Sequence, residues 1–324
     1  MIQSKRVESQ SKYMVYSFIL HWTQPSHLSL RPLLQGYQAG MEAGEIEFAM
    51  YGVIAFLSSA LQSGRSLEAL ELDCRLYVMQ MHEYGRVFTK GNCSLFWQTI
   101  LNLMGQAAAN PVTLTGEALD EAEFRKTATP FQLCLLRFFL AMIYTWFGEH
   151  EQCAKLAIAD FNSLAKVYLG SILVTMDCFY KGVSLFAMSQ NSKNKRYTKY
   201  AKKALMTIKR WVEKGNPNVR HYEALLEAEM AVNTRRPRVA KKNFEIAIAL
   251  STKGGFIQDA ALAQERFGYF LLRSGDRDEA SFQLGEAITL YKEWGAKAKA
   301  LQLQQKHADL WQSPAEIGCD LSLF

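Results

Sequence analysis

Residues 261–290 read ALAQERFGYFLLRSGDRDEASFQLGEAITL, and the prediction of the fold starts from this stretch. Apolar residues recur at helical spacing as far as Leu272, and a second amphipathic run begins near Glu279. Between the two runs, residues 274–276 (Ser-Gly-Asp) interrupt the pattern in the way that a tight turn does. The stretch therefore predicts two helices folded back on each other as a hairpin.

Small residues mark where the helices of this hairpin must approach closely. Gly268 lies on the first helix, and Ala280 and Ala287 lie on the second. Ala240 and Ala247 precede these two alanines by 40 residues each. Such a register is typical of an internal repeat, because the same helix contacts recur in every unit. The hairpins resemble tetratricopeptide (TPR) repeats, with a spacing longer than the roughly 34 residues of that unit.

The composition favours helices along the whole chain. Apolar residues make up 49% of the sequence, which is ample for a continuous core. The seven prolines fall mainly at breaks between apolar runs, and alternating runs rich in Val, Ile and Thr are nearly absent. We therefore predict an all-α chain, built as an α-solenoid of TPR-like antiparallel helix hairpins in a right-handed superhelix.

The helical pattern divides the chain into four parts. We predict N-terminal helical repeats over residues 1–104 and an irregular acidic connection with one short helix over residues 105–130. C-terminal TPR-like repeats with a capping helix follow over residues 131–311, and residues 312–324 form a disordered tail. The last helix, residues 296–311, is rich in Gln and Lys, as expected where no further repeat covers the outer face.

The first predicted helix, residues 8–23, carries more apolar residues than one stripe can bury against the next hairpin. These residues are Tyr13, Met14, Val15, Tyr16, Phe18, Ile19 and Trp22. An exposed apolar surface of this kind marks a missing partner. We therefore expect the chain to be a segment of a longer polypeptide whose preceding repeats cover this helix.

The sequence contains few residues that could carry chemistry. It has neither a Gly-rich phosphate loop nor a His-Glu-x-x-His run. The six cysteines are scattered, and most lie in apolar runs where a thiol behaves as a small hydrophobe. His82 and His150 each adjoin a glutamate, but they lie at a helix end and a turn, where an unligated histidine is the usual case. We predict no catalytic residue, no cofactor and no metal, and hence no enzyme.

Basic residues concentrate in two short segments of a chain whose net charge is +6. Residues 193–203 carry six basic residues and residues 235–242 carry five, with no acidic residue in either. Each segment lies at the turn between the two helices of its hairpin, so neighbouring hairpins should place the two side by side. The candidate docking residues are Lys193, Lys195, Arg196, Lys199, Lys202, Lys203, Arg235, Arg236, Arg238, Lys241 and Lys242.

Three interpretations of this basic surface stay open. It could be a solvated rim, a docking surface for an acidic protein, or a site for nucleic acid or anionic lipid. Nucleic acid is the less favoured partner, because only Tyr197 and Tyr200 lie among the charges to stack on bases. The longest apolar runs are too short, or are interrupted by Arg137, so we expect no membrane span. With no secretory pattern at the start, we predict a cytoplasmic protein.

Further stretches resemble one particular setting. Residues 21–25 (HWTQP), 33–49 (LLQGYQAGMEAGEIEFA) and 63–64 (SG) resemble the helical region that follows the STAND-like ATPase module of very large signalling proteins. These proteins include multi-sensor kinases and proteins with a nucleotide cyclase domain. Residues 287–301 (AITLYKEWGAKAKAL) resemble the end of that region. The resemblance implies a regulatory solenoid that works with flanking ATPase or output domains, and it carries over no activity and no functional residue.

Two functional interpretations follow. The first is a non-catalytic protein-interaction and regulatory solenoid within a larger signal-transduction ATPase, kinase or cyclase protein. The alternative is a stand-alone TPR adaptor that binds a partner peptide in its concave groove. An ATPase sequence in frame upstream of Met1 would decide for the first interpretation.

Overall fold

The computed structural model describes residues 2–192 and 194–311, and these residues form α-helices joined by turns, loops and short 3-10 segments. No strand occurs in this part of the chain, which confirms the predicted all-α class. The helices are α1 (Ile2–Phe18), α2 (Leu30–Ala43), α3 (Ile46–Gln62), α4 (Leu67–Glu83), α5 (Val87–Met104), α6 (Glu121–Thr127), α7 (Pro130–Trp146), α8 (His150–Ala159), α9 (Ser163–Val167), α10 (Leu173–Asn191), α11 (Lys195–Glu213), α12 (Arg220–Asn233), α13 (Pro237–Gly254), α14 (Ile257–Ser274), α15 (Arg277–Trp294) and α16 (Lys297–Lys306).

Most helices pack against a neighbour in the sequence, and the pair α14 and α15 shows how the turns are made. Gly275 ends α14 with a φ of 84°, in the left-handed region that favours glycine. The next residue, Asp276, caps α15, because its side chain accepts a hydrogen bond of 3.2 Å from the backbone N–H of Glu279. The turn therefore lies where the Ser-Gly-Asp sequence predicts it.

The small residues lie at helix contacts. A Cβ atom added at Gly268 of α14 would lie 2.6 Å from Cγ of Leu284 on α15, closer than real Cβ contacts come. Ala280 and Ala287 of α15 are completely buried, as are the two alanines 40 residues earlier on α13. The repeated small residues therefore let paired helices approach closely, as predicted.

The segment from Cys153 to Tyr168 is not one continuous helix. The structure divides it into α8 and α9, with Phe161 buried in the break between them. The carbonyl oxygen of Phe161 accepts a hydrogen bond of 3.4 Å from Nζ of the buried Lys181 on α10. In a continuous helix this carbonyl group would accept the backbone N–H four residues later. The break frees it to accept from the buried ammonium group of Lys181.

The irregular segment between α5 and α6, residues 106–120, is anchored by polar side chains of α5. Asn102 Nδ2 donates to the carbonyl oxygens of Pro111 (3.0 Å) and Thr113 (2.7 Å). Gln98 Oε1 accepts from two successive backbone N–H groups of this segment, at 2.9 and 3.2 Å. Two buried side chains therefore satisfy backbone groups that have no helix to pair with.

Helices far apart in the sequence meet at the turn between α3 and α4. Gln258 Nε2 on α14 donates to the carbonyl oxygen of Gln62 at 2.8 Å, and Trp294 Nε1 on α15 donates to that of Arg65 at 3.1 Å. Gly64 of this turn has a φ of 80°, and a Cβ atom there would lie 2.5 Å from a carbonyl oxygen of the α13–α14 turn. The first and last thirds of the described chain are therefore in direct contact.

The last helix, α16, is polar on one side only. Its exposed residues 304–306 fit the expected polar outer face. Lys299, in contrast, is 1% exposed and points into the protein, and Gln302 Nε2 donates to the carbonyl oxygen of Phe147 at 2.8 Å. The helix packs against both α15 and α5, so it joins two parts of the chain as well as closing one end.

We predict that Ala280→Leu will destabilise the protein by about 1–3 kcal/mol, because the larger side chain overpacks the contact between α14 and α15. The matched control is Gly285→Ala on the same helix, where an added Cβ meets open space. The control should raise stability by roughly 0.5–1 kcal/mol, since alanine favours a helix over glycine. Urea unfolding of the wild type and both variants provides the measurement. An unfolding midpoint of Ala280→Leu equal to that of the wild type would show that Ala280 marks no close contact.

Candidate functional site

The structure places the two basic turns next to each other. The turn between α10 and α11 and the turn between α12 and α13 follow helices whose ends are hydrogen-bonded together. Ser189 Oγ near the end of α10 donates to Asn233 Oδ1 at the end of α12 at 2.8 Å, and Asn233 Nδ2 donates to the carbonyl oxygen of Phe186 at 3.4 Å. The basic segments thus lie at the same end of neighbouring helix pairs, and they form one surface.

The predicted basic residues differ in how free their charges are. Lys241 is not free, because its Nζ lies 2.6 Å from Glu279 Oε2 on α15. Nζ of Lys203 lies 4.9 Å from the centre of the Phe161 ring, within the range of a cation–π contact. Lys193 lies outside the described residues. Exposed and without an ion-pair partner in the described chain are Lys195, Arg196, Lys199, Lys202, Arg235, Arg236, Arg238 and Lys242.

Sequence reasoning missed a network of buried charges around α14. Arg266 is buried, and its Nε and Nη2 donate to the two carboxylate oxygens of Glu229 on α12, at 2.5 and 3.1 Å. Its Nη1 lies 3.2 Å from Nε2 of His150, whose Nδ1 lies 3.0 Å from Ser184 Oγ. Burial, with the positive charge of Arg266 beside it, holds the pKa of His150 well below its usual value.

The preceding residue of the same helix forms a second part of the network. Glu265 is buried and accepts a hydrogen bond of 2.7 Å from Nζ of Lys299 on α16. Its other oxygen accepts from the hydroxyl of Tyr291 at 2.8 Å, and the first oxygen also accepts from Tyr269 at 3.0 Å. Burial lowers the pKa of Lys299, although the carboxylate of Glu265 opposes this change.

Two further buried pairs of charged residues lie nearby, one between α12 and α14 and one within α10. His221 Nε2 of α12 is 3.0 Å from Asp259 Oδ2, and burial raises the pKa of this carboxyl group. On α10, Lys181 Nζ is 2.6 Å from Asp177 Oδ2, and burial raises the pKa of Asp177 as well. The His221–Asp259 pair joins α12 to α14, whereas the Lys181–Asp177 pair lies within α10.

The chemistry of these buried groups is structural in character. Both ring nitrogens of His150 already contact protein atoms, which leaves none for a metal ion. The described cysteines are buried, and burial raises the pKa of the Cys74 and Cys153 thiols, so these two thiols are not thiolates at neutral pH. The sequence feature that could have indicated this buried network is Glu265-Arg266, two adjacent charged residues inside the apolar pattern of α14.

A groove is the second surface feature of interest. Its central cavity, of about 440 Å³, lies between α1, α3, the start of α5 and the loop that leads into α10. Its lining is mostly apolar and holds no Asp, Glu, Lys, Arg or His among the described residues. Six aromatic rings line it: Tyr13, Phe18, Tyr51, Phe88, Phe131 and Tyr168.

Part of the apolar surface predicted for the first helix lies in this groove, and part is covered elsewhere. Trp22 is covered, because its ring packs edge-on against Trp211, and its Nε1 donates to the carbonyl oxygen of Gly170 at 2.9 Å. Tyr13 and Phe18 line the groove. Leu169 and Phe131 are exposed apolar residues of its lining, and Met14, Val15 and Ile19 of the predicted first helix are exposed as well.

Comparison with known proteins found no match among family models, curated proteins or solved structures. Among the described helices, none combines the length and the apolar character that crossing a bilayer requires. The TPR and STAND resemblances therefore stay predictions from the sequence.

We predict that acid will destabilise the folded protein through His21. This residue is buried beside the α11–α12 turn, and its Nε2 has no hydrogen-bond partner among the described residues. Burial lowers the pKa of His21 from 6.5 to about 4 in the folded state. A group with a lowered folded pKa contributes stability above its unfolded pKa and loses it as the pH falls. Glutamine does not titrate, so only the wild type loses this stability in acid. The decrease in unfolding free energy caused by His21→Gln should therefore be about 2 kcal/mol smaller at pH 5 than at pH 7.5.

The measurement is urea unfolding of the wild type and the variant at both pH values. Comparing the two proteins at each pH cancels the opposite contributions of the buried carboxyl groups, which both proteins share. The control is Thr23→Gln, at an exposed position nearby, which changes no titratable group, so its effect on stability should be the same at both pH values. A cost of His21→Gln that is the same at both pH values would contradict the assigned pKa.

Proposed function

We propose that this chain is a non-catalytic protein-interaction and regulatory segment, an α-solenoid of TPR-like hairpins in a right-handed superhelix. Support comes from helices that pack in neighbouring pairs with short turns, and from the small residues at the contacts of α14 with α15. Hairpin arrays of this kind present extended surfaces, and binding is their usual role.

The observation that carries the proposal is the basic surface at the two adjacent turns. Most of its lysines and arginines are exposed, and among the described residues only Lys241 of this surface pairs with an acid. Like charges so close together repel each other, and an acidic partner relieves that repulsion. We propose that this surface binds an acidic face of a protein.

Nucleic acid is the less favoured partner of this surface. Binding to single strands uses aromatic rings on which bases stack. Here the rings among the charges are Tyr197 and Tyr200, both half-buried, and the Tyr200 ring lies 5.7 Å from that of Phe161. Few rings are thus free for stacking.

The proposed setting is a larger signal-transduction protein with a STAND-like ATPase and a kinase or cyclase output. It rests on the sequence resemblance alone. In that setting the acidic partner belongs to a flanking domain of the same polypeptide. The sequence of the flanking gene tests this part directly, and the lack of an ATPase upstream would favour the stand-alone adaptor.

We predict that reversing four charges, Lys195, Arg196, Arg235 and Arg236, to Glu will leave folding intact and abolish a salt-sensitive association. The four side chains are exposed, so the substitutions break no buried contact. The measurement is affinity capture by immobilised wild-type and variant chains at low and high salt, after nuclease treatment, with bound proteins identified by mass spectrometry. Proteins bound through this surface should disappear with the variant and with salt.

The matched control reverses Arg210, Lys214, Arg220 and Lys253 to Glu. These residues are also exposed and lie on or beside the same helices, α11 to α13, at their opposite ends. The control has the same net charge as the variant, and it should capture the same proteins as the wild type. If both variants lose the same proteins, only net charge matters and the surface is a solvated rim. If nuclease removes the bound material, the partner is a nucleic acid.

A further inference from the structure

The lining of the groove's central cavity comes from segments far apart in the sequence. Part of it belongs to α1, α3 and the start of α5, and the rest to α7, α9 and the loop that leads into α10. The chain just after α1 is hydrogen-bonded to that loop, because Trp22 Nε1 donates to the carbonyl oxygen of Gly170 at 2.9 Å. A Cβ atom at Gly170 would lie 3.4 Å from the carbonyl oxygen of Phe18. Contacts between these two parts of the chain therefore hold the wall of the cavity in place.

This lining favours an uncharged ligand of small size. It holds no Asp, Glu, Lys, Arg or His among the described residues, so a charged group inside it would lose hydration without gaining an ion pair. Glu47 and Arg86 lie outside it, at a neighbouring hollow that shares Tyr51 and Phe88, and their opposite charges favour neither sign of ligand. The volume of about 440 Å³ lies within the range of small-molecule sites. The cavity therefore suits a small neutral molecule.

Aromatic rings make up much of the apolar part of the lining. The Tyr13 ring lies edge-on to that of Phe18, with their centres 5.4 Å apart, and its centre is 5.7 Å from that of Tyr51. A further ring packs well against such a group, either edge-on or offset. A flat aromatic ligand also loses less conformational freedom on binding than a flexible chain does. The rings therefore favour an aromatic ligand.

Two polar side chains of the lining lack partners although both are more than nine-tenths buried. Ser17 is 8% exposed and Asn92 is 4% exposed, and neither Ser17 Oγ nor Asn92 Oδ1 has a hydrogen-bond partner among the described residues. Other polar groups of this lining are paired. The Tyr51 hydroxyl donates to Glu47 Oε1 at 2.7 Å, and Ser58 Oγ donates to a carbonyl oxygen one turn earlier on α3, also at 2.7 Å. An unpaired buried acceptor is costly, so the two oxygens favour a ligand with an N–H or O–H donor.

We propose that this cavity binds a neutral aromatic small molecule that carries an N–H or O–H donor. The rings of the ligand pack against Tyr13, Phe18 and the other aromatic side chains of the lining. Its donor bonds to Asn92 Oδ1 or to Ser17 Oγ. An acyl chain would also fill an apolar cavity, but it offers no donor to these oxygens. The site uses none of the basic residues, and the inference does not rest on the proposed role in protein binding.

The experiment uses N-phenylnaphthylamine as the probe, because it is neutral and aromatic, has one N–H donor and fluoresces more strongly in apolar surroundings. Titration of the full chain should give saturable binding of one probe molecule per chain. Phenoxynaphthalene has an ether oxygen in place of the N–H, and its affinity is measured by displacement of the probe. We expect the wild type to prefer the amine by about threefold to tenfold, as one neutral hydrogen bond provides.

A double variant and a charged analogue test the two features assigned to the ligand. Ser17→Ala with Asn92→Leu removes both acceptors, so this double variant should bind the amine and the ether with equal affinity. Anilinonaphthalene sulfonate has the rings and the N–H of the probe and adds one negative charge. It should displace the probe from the wild type only at concentrations at least about tenfold higher than the unlabelled amine would need, because the lining offers no cation.

Two further variants locate the bound probe. Ala55→Phe fills the cavity and should abolish binding. Phe131→Ala removes a ring of the lining that is 53% exposed, so it leaves the core intact and should weaken binding at least about threefold. The matched control is Phe282→Ala, which removes a ring that is 62% exposed on α15 and should bind the probe as the wild type does. Thermal melting without the probe checks that each variant is folded, and Phe131→Ala decides the matter if Ala55→Phe does not fold.

Several results would overturn the inference. These are the lack of saturable binding, equal affinity of the wild type for the amine and the ether, displacement by the sulfonate as readily as by the amine, and unchanged binding to Phe131→Ala or to folded Ala55→Phe. Displacement of the probe by laurate more readily than by phenoxynaphthalene would assign the cavity to an acyl chain. A wild-type dimer that Leu169→Glu converts to a monomer would assign it to a second copy of the chain.

Discussion

The requirement that buried charges be paired determines how this protein is put together. Helix α14 carries Glu265 and Arg266 side by side, and both are buried. Their partners are Lys299 on α16 and Glu229 on α12, so one helix is tied to two others by ion pairs. Leaving one of these charges without its partner would cost several kcal/mol, whereas an apolar contact tolerates small shifts. The pairs therefore restrict which helices can neighbour α14 and in what register.

Such pairs add specificity more than stability. Desolvating an ion pair offsets much of its electrostatic attraction, and apolar side chains of similar volume would hold the helices as firmly. In a chain of similar hairpins, apolar contacts alone could pair one unit with the wrong neighbour. The contacts of Gln258 with Gln62 and of Trp294 with the Arg65 carbonyl act in the same way, because each needs one partner atom at one place. We infer that these polar contacts select one arrangement of the hairpins.

The two candidate binding surfaces differ in their physics. The basic surface is built from exposed charges on turns, so its attraction is long-ranged, weakened by salt and tolerant of partner shape. The groove is lined by six aromatic rings, four of them on α1, α3 and α5, so its selectivity comes from shape and from the burial of apolar area. The basic surface therefore acts at long range, whereas the groove acts only on contact.

The sequence by itself determined the helical class, the turn at residues 274–276, the close contacts at Gly268 and Ala280, and the basic turns, because each depends on local spacing along the chain. Tertiary structure decided which distant segments meet: α5 with α16, and the α3–α4 turn with α14. It also decided that Lys299 is buried, that Lys241 pairs with Glu279, and that Tyr13 and Phe18 line a groove. Burial and pairing across such distances depend on how hairpins stack, and local periodicity carries no information about that.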